Sequence, residues 1–171
     1  MIIAYFVSGK ISSNEQEAND LFANQRFGEK KEEKVFYTLS ESLFLVEEKK
    51  MKILDNKDNE ISKKELLKKF EKLDSKFKTK YFVFKDLRKK GYIVKTGLKF
   101  GAEFRVYDKG KSVGKHHAKW IVFPVDEHDK MTWHDFSAKN RVAHSTKKKL
   151  LIAIVDEEND VSYYEVDWKR V

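Results

Sequence analysis

The sequence predicts a mixed α/β (α+β) fold in two parts, a small N-terminal α/β domain followed by a C-terminal mixed β-sheet domain with packed helices. Three observations carry this. Through the first half, short runs rich in β-branched and aromatic residues alternate with helical segments. After Gly91 comes a series of strand candidates with one helix inserted among them. No internal repeat is visible, so the two halves are not copies of one unit.

In chain order, "MIIAYFV" and "KVFYTL" read as strands separated by the helical stretch "NEQEANDLFANQRFG", which Gly28 closes. Ser40 is placed to cap a helix through "ESLFLVEEKK". A short strand, "MKIL", and a turn, "DNKDNE", lead to Ser62 and Glu65, whose spacing forms a capping box ahead of Leu66, Leu67, Phe70 and Leu73. The expected domains are residues 1–73, a scaffold and assembly unit, and 74–171. A helix starting near Asp74 or Ser75 carries Phe77, Tyr81, Phe84 and Leu87 at helical spacing and ends at Gly91. The strand candidates "YIVKTGLKF", "AEFRVYD", "AKWIVFPV", "LLIAIVD" and "VSYYEVDW" follow. The inserted helix, "TWHDFSAKNRVAHSTKKK", has Thr132 at its N-cap and Asp135 at N3.

Composition limits the function classes. The chain has 171 residues, 40% of them hydrophobic, which is enough for real cores. Without cysteine there are neither disulfides nor thiolate metal sites, which fits a reducing compartment. The longest apolar run, Leu150 to Val155, is too short to cross a bilayer, and the amino-terminal stretch lacks a basic region and cleavage site; a cytoplasmic protein is expected. The net charge of +8 suits a polyanionic partner, although surfaces rich in lysine and glutamate also occur in heat-stable proteins.

Three places hold residues with chemical potential. In "AEFRVYD" the strand alternation puts Glu103, Arg105 and Tyr107 on one face, and on spacing alone Tyr107 is a surface tyrosine beside the turn "YDKGK". In "GKHHAKW", His116 and His117 enter the next strand facing opposite ways, so only one of them can join Tyr107. Two adjacent histidines do not readily chelate one ion, and no carboxylate stands at a standard ligand spacing. In the last helix, Arg141, His144, Ser145 and Lys148 fall at i, i+3, i+4 and i+7, which gives them one shared face. A solvated basic face complementing the helix dipole is the plainest account of that pattern.

The run "DLRKKGYIVKTGLKFGAEFRVYDKG", then "HHAKWIVFPV", then "RVAHSTKKKLLIAIVD", resembles the catalytic domain of the archaeal tRNA-splicing endonucleases, from about Tyr81 to Tyr164. Three motifs match in order. By this resemblance residues 74–171 form a nuclease-like catalytic domain with Tyr107, His117 and Lys148 as its catalytic triad. The histidine before a small residue and an apolar strand selects His117 over His116. Arg141 matches an arginine that stacks on a bulged base. The family implies metal-independent, cofactor-free cutting of precursor tRNA at intron–exon junctions in a bulge-helix-bulge, leaving 2′,3′-cyclic phosphate and 5′-hydroxyl ends.

That chemistry wants these residue types. Cleavage through the RNA's own 2′-hydroxyl needs a base there, an acid at the leaving 5′-oxygen and a cation at the phosphorane. The resemblance gives these roles to Tyr107, His117 and Lys148 respectively. Free tyrosine titrates near about pH 10, so neighbouring cations such as Arg105 and Lys148 are needed to favour the phenolate.

The family also implies an assembly in which an acidic loop enters a basic cleft of another subunit. The matching region is "PVDEHDKM", with Asp126, Glu127 and Asp129; a solvated turn is the alternative. A chain bearing both triad and loop is expected to form a homotetramer, or a heterotetramer with a structural subunit, and its length with no repeat excludes a double-length form. Aromatic residues on both faces of "VSYYEVDW" suit it to subunit packing, and Trp133 and Trp168 suit packing better than RNA stacking. The competing readings are a non-catalytic RNA-binding or assembly subunit of a heteromeric enzyme, and a metal-dependent nuclease.

Overall fold

The computed structural model describes residues 1–111 and 113–171. It divides into two compact units, Met1–Lys78 and Thr79–Val171. In the first, β1 (Ile2–Val7) turns back through Ser8 and Gly9, both at positive φ, into β2 (Lys10–Ser13). Such a left-handed turn matches the twist of paired antiparallel strands. The short "KISS" of β2 carries too little apolar pattern to announce a strand.

Helix α1 (Gln16–Gln25) ends at Arg26 in the left-handed conformation. At Gly28 (φ +75°) an added Cβ would lie 2.4 Å from a Val35 methyl and 2.9 Å from the Phe36 carbonyl oxygen, so only glycine fits. β3 (Glu29–Lys31) and β4 (Lys34–Tyr37) lead into α2 (Leu39–Glu47), whose N-cap is Thr38 rather than Ser40. Thr38 Oγ1 accepts from the Glu41 N–H, and the Glu41 carboxylate accepts from the Thr38 N–H. Thr38 has a glutamate three residues on; Ser40 has Leu43 there and lies buried inside the helix. The other Glu41 oxygen accepts from the Gly28 N–H at 2.9 Å, tying the cap to the preceding loop.

β5 (Met51–Leu54) pairs parallel with β1, completing a sheet ordered β3-β4-β2-β1-β5 with the remaining pairs antiparallel. Ser62 and Glu65 form the expected capping box of α3 (Lys63–Leu73), which buries Leu66 and Phe70.

The boundary between the units falls inside α4 (Phe77–Lys89), which buries Phe77, Tyr81, Phe84 and Leu87 and is followed by Gly91 at φ +89°. The sheet of the second unit runs β10-β9-β8-β7-β6, formed by β6 (Ile93–Thr96), β7 (Phe104–Tyr107), β8 (Trp120–Asp126), β9 (Lys149–Val155) and β10 (Val161–Val166). Only β8 and β9 are parallel, and α5 (Trp133–Ser145) crosses over between them. Ala143 of α5 packs with Ala102, Ile121 and Leu150 in a buried cluster flanked by Phe100, Phe123 and Phe136. This packing holds the end of α5 against the start of β9.

Candidate active site

Sheet register brings three strand ends into one row. Val106 stands opposite Trp120, and Trp120 stands opposite Lys149. The last residue of β7 therefore lies beside the approach to β8 and the approach to β9. Hydrogen bonds continue the row past the strands: the Lys119 N–H donates to Val106 O and the Lys149 N–H to Lys119 O, each at 2.9 Å.

At this edge opens a cleft of about 340 Å³, lined by Tyr107, His117 and Lys148 together with Lys99, Phe100, Arg105 and the loop from Val113 to Ala118. Tyr107 is not a surface tyrosine: only 4% of it is exposed. Strand alternation assigns its face correctly, but that face looks into the cleft rather than into solvent. His116 and His117 are both exposed on the loop, and both line the cleft.

Lys148 reaches the cleft differently from the way periodicity predicts. α5 ends at Ser145, so Lys148 shares no helical face with Arg141. Thr146 is the C-cap, Lys147 adopts φ +55°, and the N–H groups of Lys147 and Lys148 return to the carbonyls of His144 and Ala143 at 3.1 and 2.8 Å. This is a Schellman turn with lysine where glycine is usual. It aims Lys148 away from the helix, where Nζ donates to Thr146 O at 3.0 Å and sits 4.5 Å from the centre of the Phe100 ring.

Two cleft residues, Lys99 and Phe100, are not among the functional candidates of the sequence. The run "YIVKTGLKF" reads as one strand, yet it breaks at Gly97 into a 3₁₀ turn, Leu98–Phe100. A Cβ on Gly97 would lie 2.7 Å from the Phe104 carbonyl carbon and 2.9 Å from its oxygen. Gly97 and Gly101 on either side of the turn were the available signal.

The cleft is cationic. Among the described residues its lining includes Lys99, Arg105, Lys115 and Lys148 but no carboxylate. Burial, followed by the like charges of Arg105 and Lys99, pushes the Lys148 ammonium below the usual lysine value. The Arg105 guanidinium carbon lies 5.9 Å from the centre of the Tyr107 ring. Such a lining suits a bound anion, and its described side chains offer no carboxylate to a hard cation.

The geometry coincides with clear sequence kinship. A family model described as "tRNA intron endonuclease, catalytic C-terminal domain" matches residues 77–163, and one described as "tRNA intron endonuclease, N-terminal domain" matches residues 2–67. The chain belongs to the tRNA intron endonuclease family. Among its relatives is a protein of Pyrococcus abyssi named tRNA-splicing endonuclease, 41% identical over 169 residues, covering 98% of this chain and 96% of that one. A protein of the same name from Thermococcus kodakarensis is 41% identical over 171 residues, covering 99% of each chain. Another, from Nanoarchaeum equitans, is 40% identical over 156 residues, covering 88% of this chain and 97% of its own. Every residue lining the cleft falls within the family's catalytic-domain match, and none falls in the N-terminal one.

The other sequence candidates lie outside the cleft. Arg141 is exposed on α5 and is not among the lining residues. His144 packs against Trp168, ring centres 4.7 Å apart, and Trp133 is 83% exposed with its ring edge-on to Phe136. Asp126, Glu127 and Asp129 occupy the turn at the far end of β8. There Asp126 Oδ1 accepts from the His128 N–H and meets His128 Nδ1 at 3.0 Å, Asp129 Oδ2 accepts from the Asp126 N–H, and Glu127 accepts from the Glu157 N–H. Glu127, His128 and Glu157 form the one described trio with metal-ligand spacing, and all three are exposed. Among the described residues no helix is long and apolar enough to cross a membrane.

Proposed function

We propose that this chain is the catalytic subunit of a tRNA-splicing endonuclease that cuts precursor tRNA at intron–exon junctions within a bulge-helix-bulge. The observation that carries the reading is the convergence of Tyr107, His117 and Lys148 in one cationic cleft, without a carboxylate among its described residues, in a member of this family. The RNA's 2′-hydroxyl attacks the adjacent phosphorus. Tyr107, which lines the cleft with Arg105 and Lys148, acts as the base that takes the hydroxyl proton. The P–O5′ bond breaks as His117, protonated, gives a proton to the leaving 5′-oxygen, and the Lys148 ammonium balances the charge of the phosphorane. No water is consumed, so the products are a 2′,3′-cyclic phosphate and a 5′-hydroxyl. No metal takes part, in keeping with a cation supplied by the side chains themselves.

Around this centre, Arg141 stacks on a splayed bulge base, for which a planar guanidinium is suited. Residues 1–73 act as scaffold and assembly unit, and residues 74–171 perform catalysis. The turn with Asp126, Glu127 and Asp129 docks in a basic cleft of another copy, giving a homotetramer; a heterotetramer with a structural subunit is the other assembly that supplies two cutting centres. The site of action is the cytoplasm.

Incubation of the purified protein with bulge-helix-bulge RNA in EDTA tests the whole reading. Cleavage to cyclic-phosphate and 5′-hydroxyl ends is the expected result. Binding without cleavage would instead point to a non-catalytic RNA-binding or assembly subunit, and loss of activity in EDTA to a metal-dependent nuclease.

A further inference from the structure

Arg105 stands out as a charged group without a counter-charge. It lines the cleft, yet its Nε is buried and has no hydrogen-bond acceptor. Among the described residues it forms no ion pair. The carboxylate two positions back on the same strand face, Glu103, is taken by Lys80 at 3.0 Å. What surrounds the guanidinium is instead more positive charge, Lys148 and Lys99, together with the Tyr107 ring. A guanidinium in such a place normally has a carboxylate or carbonyl to hold its fork, because its donors are numerous and it does not shed its charge. Clustered cations with unused donors are completed by an anion, and a phosphate oxygen is the acceptor whose geometry a guanidinium fork fits best.

We propose that Arg105 is the anion-binding residue of this cleft, donating from its guanidinium to a non-bridging oxygen of the scissile phosphodiester alongside Lys148. This rests on the reading of the cleft as a phosphodiester-cleaving site, and it adds a residue that touches the substrate to the three that perform the proton and charge chemistry. Arg105 holds the phosphate; Lys148, held by Thr146 O and the Phe100 ring, is then free to meet the charge that develops later. The short β7 strand fixes Arg105 and Tyr107 on one face two residues apart, so the base and the anion site keep a constant separation.

Two measurements on the full-length protein test this, using Arg105→Gln and Arg105→Lys. The first is the change in melting temperature produced by inorganic phosphate against chloride of matched ionic strength. Wild type is stabilised, Arg105→Gln is not, and Arg105→Lys keeps only part of the effect. The second is single-turnover cleavage of precursor tRNA. Arg105→Gln cuts about 10²- to 10³-fold more slowly, in the range of a lost transition-state donor, with RNA affinity changed less than about threefold because many other phosphates are contacted. If phosphate stabilises Arg105→Gln as much as wild type, or if that variant cuts within threefold of wild type, the proposal is overturned. Should Arg105→Gln not fold, Arg105→Lys decides, since it keeps the charge and removes the fork; behaviour identical to wild type overturns the assignment. If wild type cuts no precursor tRNA, the nuclease reading fails, while the phosphate measurement still decides whether Arg105 binds an anion.

Discussion

The parallel strands β8 and β9 begin beside the cationic cleft, with Trp120 and Lys149 themselves tied to the Glu165 carboxylate, and end at a turn rich in carboxylates. Each is seven residues long, so the two ends lie roughly 20 Å apart at about 3.3 Å per residue. At the starting edge stand His117, Lys148 and the cleft, with Arg105 unpaired among the described residues and the Lys148 pKa lowered by burial and like charge. At the far edge the groups answer one another: Asp126 with His128, Asp129 with the Asp126 N–H, Glu127 with the Glu157 N–H. A site awaiting a ligand holds charges its own fold does not neutralise, whereas a self-satisfied turn is a preformed surface that a partner can meet without rearrangement.

The largest expected effect is at His117. His117→Ala is expected to lower single-turnover cleavage by about 10²- to 10⁴-fold, the worth of a lost general acid, and to leave RNA binding nearly intact. His116→Ala changes the rate less than about threefold, although both histidines line the cleft. Equal losses from the two would remove the assignment.

The second effect belongs to the far edge. Replacing Asp126, Glu127 and Asp129 together by Asn, Gln and Asn is expected to weaken association by about tenfold or more, since complementary charge pairs at interfaces carry several kcal/mol. Light scattering over a dilution series reads this as a fall in mass. Circular dichroism of the variant should match wild type, because Glu127 and Asp129 are exposed and Asp126, the last residue of β8, is only partly buried.

Gly97→Ala sharpens the contrast through stability. Its Cβ would meet backbone atoms of Phe104 at 2.7 and 2.9 Å, which cannot move aside like a side-chain tip. A loss of about 1–3 kcal/mol is expected by denaturant titration. Cleavage falls too, since the turn after Gly97 carries Lys99 and Phe100. Glu127→Ala, at the other edge, stays within about 0.5 kcal/mol of wild type.

The smallest effect is the titration of His128. Its hydrogen bond to Asp126, and then the charges of Asp126, Glu127 and Glu157, hold it above the usual histidine value of 6.5. With the folded value raised, its contribution to stability is complete below the unfolded pKa and disappears as pH rises through the folded one. NMR titration should show Asp126→Asn returning His128 toward 6.5. A value unchanged by that substitution would mean that the carboxylate does not hold the ring.

Legibility in the sequence followed the range of the interactions. The capping box of Ser62 with Glu65 and the cap of Thr132 with Asp135 are local, and both stand as read. Thr38 and Glu41 carry the same local signal for α2, and Ser40 competes with it only when burial is ignored. Periodicity fails at the end of α5, where the chain turns at Lys147 without a glycine to mark the stop. Tyr107 shows a different limit: alternation gives the face of a side chain but not whether that face meets solvent or a cleft, which depends on how the following loop folds back beside it. Lys99 and Phe100 were hidden because Gly97 breaks an apolar run through its close approach to Phe104, a tertiary contact.

The most direct test of the account places a sulfur at the bridging 5′ position of the scissile link. A thiolate leaves without protonation, so His117→Ala should regain a rate within about tenfold of wild type on this RNA, whereas Tyr107→Phe should stay slow because the 2′-hydroxyl still needs a base. If sulfur fails to restore His117→Ala, or restores Tyr107→Phe equally, the division of roles in the cleft is wrong.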